Sequence, residues 1–150
     1  MTSELSESEK KYLLSLARET IECAVNKKQL PKIRREDLSD NLLSNGASFV
    51  TLTIYGELRG CIGSLEAHQS LVEDVQQHAV HAALEDYRFP PVSPDEVSKL
   101  NIEISRLTNP IPLDYSQPAD LPRVLNPKKD GVILKDGYHR ATFLPQVWEQ

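Results

Sequence analysis

The chain has 150 residues, with 17 Lys and Arg against 22 Asp and Glu, a formal charge of −5 with neutral histidines. That length predicts one domain able to bury a core without staples, and 39% apolar with 26% charged residues excludes a disordered chain. No run approaches the ~20 apolar residues of a membrane span, and net acidity works against non-specific binding to nucleic acid.

The opening MTSELSESEKK is polar and acidic, unlike a secretory leader. Two cysteines, Cys23 and Cys61, make no disulfide framework. The expectation is a cytoplasmic protein with reduced thiols.

The first helix has a readable start. Ser6 caps it and Glu9 closes a capping box, and Leu13, Leu16, Ala17, Ile21 and Ala24 recur at helical spacing. It ends at Asn26-Lys27-Lys28, ahead of Pro31. After a charged, irregular stretch from Lys32 to Gly46, Phe49 to Tyr55 alternates as a strand, Gly56 marks a turn, and Leu58 to Gly63 returns as a second strand. Ser70 and Glu73 open another helix, with Val72, Val75, Ala79, Ala82 and Ala83 on its apolar face. The helix stops before Arg88-Phe89-Pro90-Pro91. Pro94 starts a short helical turn, and Leu100 to Leu107 alternates as a strand with one wet face.

Five prolines punctuate Thr108 to Asp130, where Leu121 to Leu125 forms one helical turn capped by Asp120. Asp136-Gly137 then signals a type I′ hairpin between Gly131–Lys135 and Tyr138–Leu144. Helices and hairpins mix without βαβ alternation, so the fold class is α+β. The expected architecture is a mostly antiparallel sheet, built from both hairpins and the Leu100–Leu107 strand, packed by the two amphipathic helices.

The hairpin at Gly56 decides the site. A turn over Gly56-Glu57 would put Arg59 and Cys61 on the face of Val50, Leu52 and Ile54. A turn over Tyr55 to Glu57 instead gathers Val50, Leu52, Ile54, Leu58 and Ile62, and sends Arg59 and Cys61 to the other face beside Thr53 and Thr51. A one-residue slip flips every side chain, and burying an unpaired guanidinium is costly, so the apolar set selects the second register. Arg59 and Cys61 then project side by side. A neighbouring guanidinium stabilises a thiolate, the nucleophilic form, and Gly60 and Gly63 leave bare backbone for a close approach. Two readings follow from these residues. One is an electropositive pocket with a usable thiol, the other a packed strand with Arg59 in an ion pair.

Leu58-Arg59-Gly60-Cys61-Ile62-Gly63 resembles the LRGCIG signature of the AMMECR-domain family. The lead-in Gly46 to Leu52, the continuation Ser64-Leu65-Glu66, Asp86-Tyr87-Arg88-Phe89-Pro90-Pro91 and His139-Arg140-Ala141-Thr142-Phe143-Leu144-Pro145 resemble the family in order and spacing over roughly residues 10 to 150. Members usually continue past the Leu-Pro segment into a helical tail, whereas this sequence ends at Gln150. The resemblance implies an AMMECR-like domain similar to AmmeMemoRadiSam system protein A, a family without an established reaction. It also implies grouping with a Memo-like protein and a radical SAM enzyme. Arg59 and Cys61 carry over only as members of the signature.

Asp74, His78, His81 and Glu85 share one stripe of the second long helix. The expectation there is a solvated polar face and no bound metal. His68 follows the signature and is a candidate base for Cys61, since Cys–His pairing activates nucleophiles. The Asp136-Gly137 turn puts His139 on the face of Val132, Leu134, Ala141 and Phe143, as a partly buried, hydrogen-bonded residue. Arg88 and Arg140 are candidates to line an anion site, with a surface ion pair as the ordinary alternative.

Two functions remain. The first is a small-ligand or enzymatic site at the signature, with Cys61 as nucleophile or redox thiol, Arg59 as anion holder and the Gly60 and Gly63 backbone beside them. No cofactor is called for. The second is a non-catalytic binding or regulatory module acting with a Memo-like or radical SAM partner. Nucleic-acid recognition lacks a basic stripe.

Overall fold

A computed structural model describes residues 3–149. The chain forms two compact units, one up to Asn109 and one from Pro110 onward.

In the first unit, helix α1 (Glu7–Val25) begins with the anticipated capping box: Ser6 accepts from the Glu9 amide, and Glu9 accepts from the Ser6 amide. Its buried stripe is Leu13, Leu16, Ala17, Thr20 and Ile21. A short α2 (Asp40–Leu43) interrupts the charged stretch. Strands β1 (Ala47–Ile54) and β2 (Glu57–Gly63) form a hairpin, α3 (Leu71–Leu84) follows with Ser70 as its cap, and β3 is Leu100–Leu107. The sheet order is β2-β1-β3, antiparallel throughout. Val50, Leu52 and Leu100 on its inner face join Leu13, Ile21, Val72, Val75, Ala79 and Ala82 in one core.

The second unit holds a one-turn helix, α4 (Leu121–Val124), and a two-stranded hairpin, β4 (Val132–Asp136) with β5 (His139–Phe143). The single sheet expected from both hairpins does not form. β4 and β5 pair only with each other among the described residues. Their register also differs: Asp136 opposes His139, so the turn residues are Gly137 and Tyr138. That is a shift of two positions, and an even shift keeps every side chain on its expected face. His139 shares a face with Leu134 and Phe143 as anticipated, yet it is exposed rather than partly buried, because a two-stranded ribbon has too little apolar area to cover its own face.

The β1–β2 turn is neither of the two weighed, while the strand beyond it keeps the selected register. Ile54 opposes Glu57, which leaves a two-residue turn of Tyr55 and Gly56, at φ +51° and +82°. Positive φ at both central residues matches the twist of the flanking strands. A bulge then falls between Leu52 and Thr53, with Arg59 as the extra residue. Beyond it, Leu52–Gly60, Thr51–Cys61 and Val50–Ile62 oppose one another, as the selected register requires. Leu58 is the correction. It opposes Thr53 instead of joining the core face, and is 42% exposed.

Candidate functional site at the β2 edge

β2 is an edge strand, and its signature residues are fastened to the segment that follows α3. Gly60 faces inward, where a Cβ would lie 2.2 Å from the Ala82 carbonyl oxygen. The helix therefore approaches the bare strand more closely than any side chain permits. Gly63 is equally constrained, with a Cβ position 2.3 Å from the Phe49 ring and from the Ser48 carbonyl oxygen. Both glycines serve close packing of backbone, not access for a ligand.

Arg59 leaves the strand at the bulge and does not stand beside the thiol. Its Nε and Nη2 donate to the two Glu96 carboxylate oxygens at 2.9 and 3.0 Å, and Nη1 donates to the Pro90 carbonyl at 2.7 Å. Glu96 also accepts from the Ser93 amide and hydroxyl. Arg59 foremost, then the Ser93 amide, holds the Glu96 carboxyl at about 2. A bidentate carboxylate partner plus a carbonyl leaves this guanidinium little capacity for an incoming anion.

The cation next to Cys61 is Arg88. Asp86, buried at 4% exposure, accepts the Cys61 amide at 2.9 Å, and accepts the Arg88 amide, Nε and Nη2 at 3.2, 3.0 and 2.8 Å. Arg88 Nη2 in turn donates to the Cys61 carbonyl at 3.3 Å. The Arg88 hydrogen bond is the main reason the Asp86 carboxyl sits at about 2. The thiol is half-buried on the outer sheet face, its Sγ 3.1 Å from Thr51 Oγ1. Burial pushes the Cys61 pKa up, and the opposing pull of Thr51 and Arg88 does not compensate. The expected thiolate stabilised by Arg59 is thus replaced by a protonated thiol whose neighbouring guanidinium is already ion-paired.

The other sequence candidates face other groups. His68 is exposed and faces Glu66, with Nε2 3.7 Å from the carboxylate. Arg140, exposed on the second unit's hairpin, opposes Lys135. The α3 stripe is split. His81 and Glu85 form an open ion pair at 3.4 Å, whereas Asp74 and His78 are buried, contrary to the expected solvated face. Asp74 accepts Ser48 Oγ at 2.6 Å and Ser64 Oγ at 3.3 Å, and lies 3.1 Å from His78 Nδ1. Burial pushes Asp74 up, but the His78 and Ser48 hydrogen bonds outweigh it, so the carboxyl falls below its ordinary range. Among the described residues no cluster of His, Cys, Asp and Glu is arranged to hold a metal ion, and no helix is long and apolar enough to cross a membrane.

Sequence reasoning did not find Asp86 and Glu96 as the partners that fix Cys61 and Arg59. The available signal was the Asp-x-Arg spacing of Asp86 and Arg88, which lets a carboxylate accept the guanidinium two residues on. The β1–β2 hairpin and the segment after α3 expose large side chains: Tyr55 at 89% and Leu58 on the first, Tyr87 at 94% on the second. Tyr87 sits between the two clamping residues, and the Arg88 guanidinium lies 5.4 Å from the Phe89 ring centre.

Comparison with known proteins places this geometry. The AMMECR1 family model matches residues 14–150. A Methanothermobacter thermautotrophicus protein is 38% identical over 95% of this chain and 74% of its own length. A Thermococcus gammatolerans protein is 39% identical over 91% of this chain and 68% of its own. The crystal structure of the uncharacterized protein PH0010 from Pyrococcus horikoshii superposes with a TM-score of 0.82 at 35% identity, over 91% of this chain and 68% of that one. The chain belongs to the AMMECR1 family.

Proposed function

We propose that this AMMECR1-family chain is a non-catalytic protein-binding module, and that the rim of the β2 clamp is its recognition surface. The observation that carries the reading is how the charges are disposed. Arg59 is paired with Glu96 and Arg88 with Asp86, and the thiol is shifted toward its unreactive form. What remains exposed on β2, on its turn and on the clamping segment is apolar and aromatic: Leu58, Tyr55 and Tyr87. Exposed aromatics on a rigid frame are the side chains that dominate binding energy at protein interfaces. The partner class is the one implied by the family resemblance, a Memo-like or radical SAM protein.

The test is direct binding of the full chain to a purified Memo-like protein and to a purified radical SAM protein, by biolayer interferometry. Tyr55→Ala and Tyr87→Ala are expected to weaken binding about tenfold or more, in the range of interface hot spots, while Cys61→Ser binds like wild type. Binding lost in Cys61→Ser but kept in both tyrosine variants would reverse the assignment in favour of a thiol site. So would rapid alkylation of Cys61 at neutral pH.

A further inference from the structure

The clamp has a property independent of any binding partner. An edge strand offers unpaired N–H and C=O groups along one side, a template for pairing with another chain. Cys61 is the residue of β2 where that exposure is centred. It opposes Thr51, and its own amide and carbonyl point outward, as the directions of their hydrogen bonds demonstrate. The Asp86 carboxylate supplies the acceptor for that amide and Arg88 the donor for that carbonyl. One carboxylate–guanidinium pair thus presents what one residue of a neighbouring strand would present, an acceptor and a donor at a single register position. The pair is preassembled by three hydrogen bonds from Arg88 to Asp86.

We infer that the Asp86–Arg88 pair is an edge guard that prevents β2 from pairing with β2 of a second copy of this chain. The self-pairing it blocks is antiparallel and centred on Cys61. Around that centre Gly60 would oppose Ile62 of the second copy on both sides, a pair that contains a glycine, and the ladder would end at the Arg59 bulge. Two residues exchanging both backbone hydrogen bonds have Cα atoms about 5.5 Å apart. That separation lies within the span a disulfide bridges, so the unguarded edge gives a covalent readout.

The experiment compares Cys23→Ser chains with and without Asp86→Ala/Arg88→Ala. Molar mass is followed by light scattering across a concentration series, and crosslinking by diamide. Diamide takes two protons and two electrons from the thiols to become the hydrazine, as both S–H bonds break and the sulfur–sulfur bond forms. The expected result is a mass that doubles with concentration and a Cys61–Cys61 crosslink in the double variant, with neither in the guarded chain. Should the double variant lose its helical circular dichroism, Arg88→Gln, which leaves Asp86 on the Cys61 amide, carries the test with the same two readouts. A folded variant that keeps the guarded chain's mass and yields no crosslink overturns the inference. Equal crosslinking of the guarded chain also overturns it.

Discussion

Replacing Asp86 with Asn tests the clamp most directly, since it removes the charge and keeps one oxygen to accept the Cys61 amide. The magnitude follows from the carboxyl's displacement from 3.8 to about 2. At 1.36 kcal/mol for each tenfold change in the proton equilibrium, that is about 2.5 kcal/mol of folding free energy at neutral pH. The Arg88 side chain is 45% exposed, so solvent screening lowers the figure to about 2 kcal/mol. With a urea slope of roughly 2 kcal/mol/M for a chain this size, the unfolding midpoint should fall by about 1 M. The pH dependence has a definite sign. A carboxyl whose folded pKa is depressed contributes fully above its unfolded value near 3.8, and the contribution disappears as pH falls through about 2. The gap between wild type and Asp86→Asn should therefore be constant near neutrality and close between about pH 4 and 2. Glu96, displaced from 4.5 to about 2, weakens both proteins equally over that interval and cancels in the difference. A destabilisation within the ±0.5 kcal/mol of an ordinary surface substitution, or a gap that persists undiminished to pH 2, would refute the account.

Gly60→Ala should lower stability by about 1–3 kcal/mol through overpacking, more than Gly56→Ala, whose Cβ position has nothing within 4 Å and meets only a strained φ of +82°; thermal unfolding that ranks them the other way removes the close-packing explanation. Asp74→Ala leaves the buried Ser48 hydroxyl and His78 without their shared acceptor, so a loss of about 2–4 kcal/mol is expected in urea, and a near-neutral result would mean that solvent replaces the carboxylate. Thr51→Val deletes the hydroxyl whose bond to Sγ lowers the thiol pKa; the midpoint of iodoacetamide labelling against pH should move further above the ordinary 9.0, and an unmoved midpoint would show that the hydrogen bond has no influence on the thiol.

Much of the fold was legible because local signals agreed with one another. The Ser6–Glu9 box, the apolar stripes of α1 and α3, and the alternation of Leu100–Leu107 each name an element and the face it buries, and the structure keeps all of them. Signals that depend on contacts across the chain were not legible. Nothing in Asp136-Gly137 indicates whether a hairpin joins a distant sheet, and the actual turn moved one residue along to Gly137-Tyr138. The α3 stripe misled for a related reason. Asp, His, His and Glu at helical spacing look solvated, but Ser48 and Ser64 at the hairpin's open end meet Asp74 and supply the hydrogen bonds that make its burial tolerable.

The site itself was half legible, and the failure is instructive. Alternation correctly put Cys61 opposite Thr51, on the face away from Val50 and Leu52. The same alternation, extended one turn of the pleat, put Arg59 beside Cys61, and a bulge broke it. The bulge is forced from both ends. Tyr55-Gly56 closes the tightest available turn, whereas Gly60 must face α3, because it alone in β2's inner register admits the Ala82 carbonyl. One residue too many lies between those constraints, and it is Arg59. Displaced from the ladder, its guanidinium reaches Glu96 and the Pro90 carbonyl, while Asp86 and Arg88 secure the strand two residues on. A glycine–arginine–cysteine pattern that suggests an anion pocket on an ideal strand is, on this bulged one, the means by which an edge strand is attached to the segment after α3.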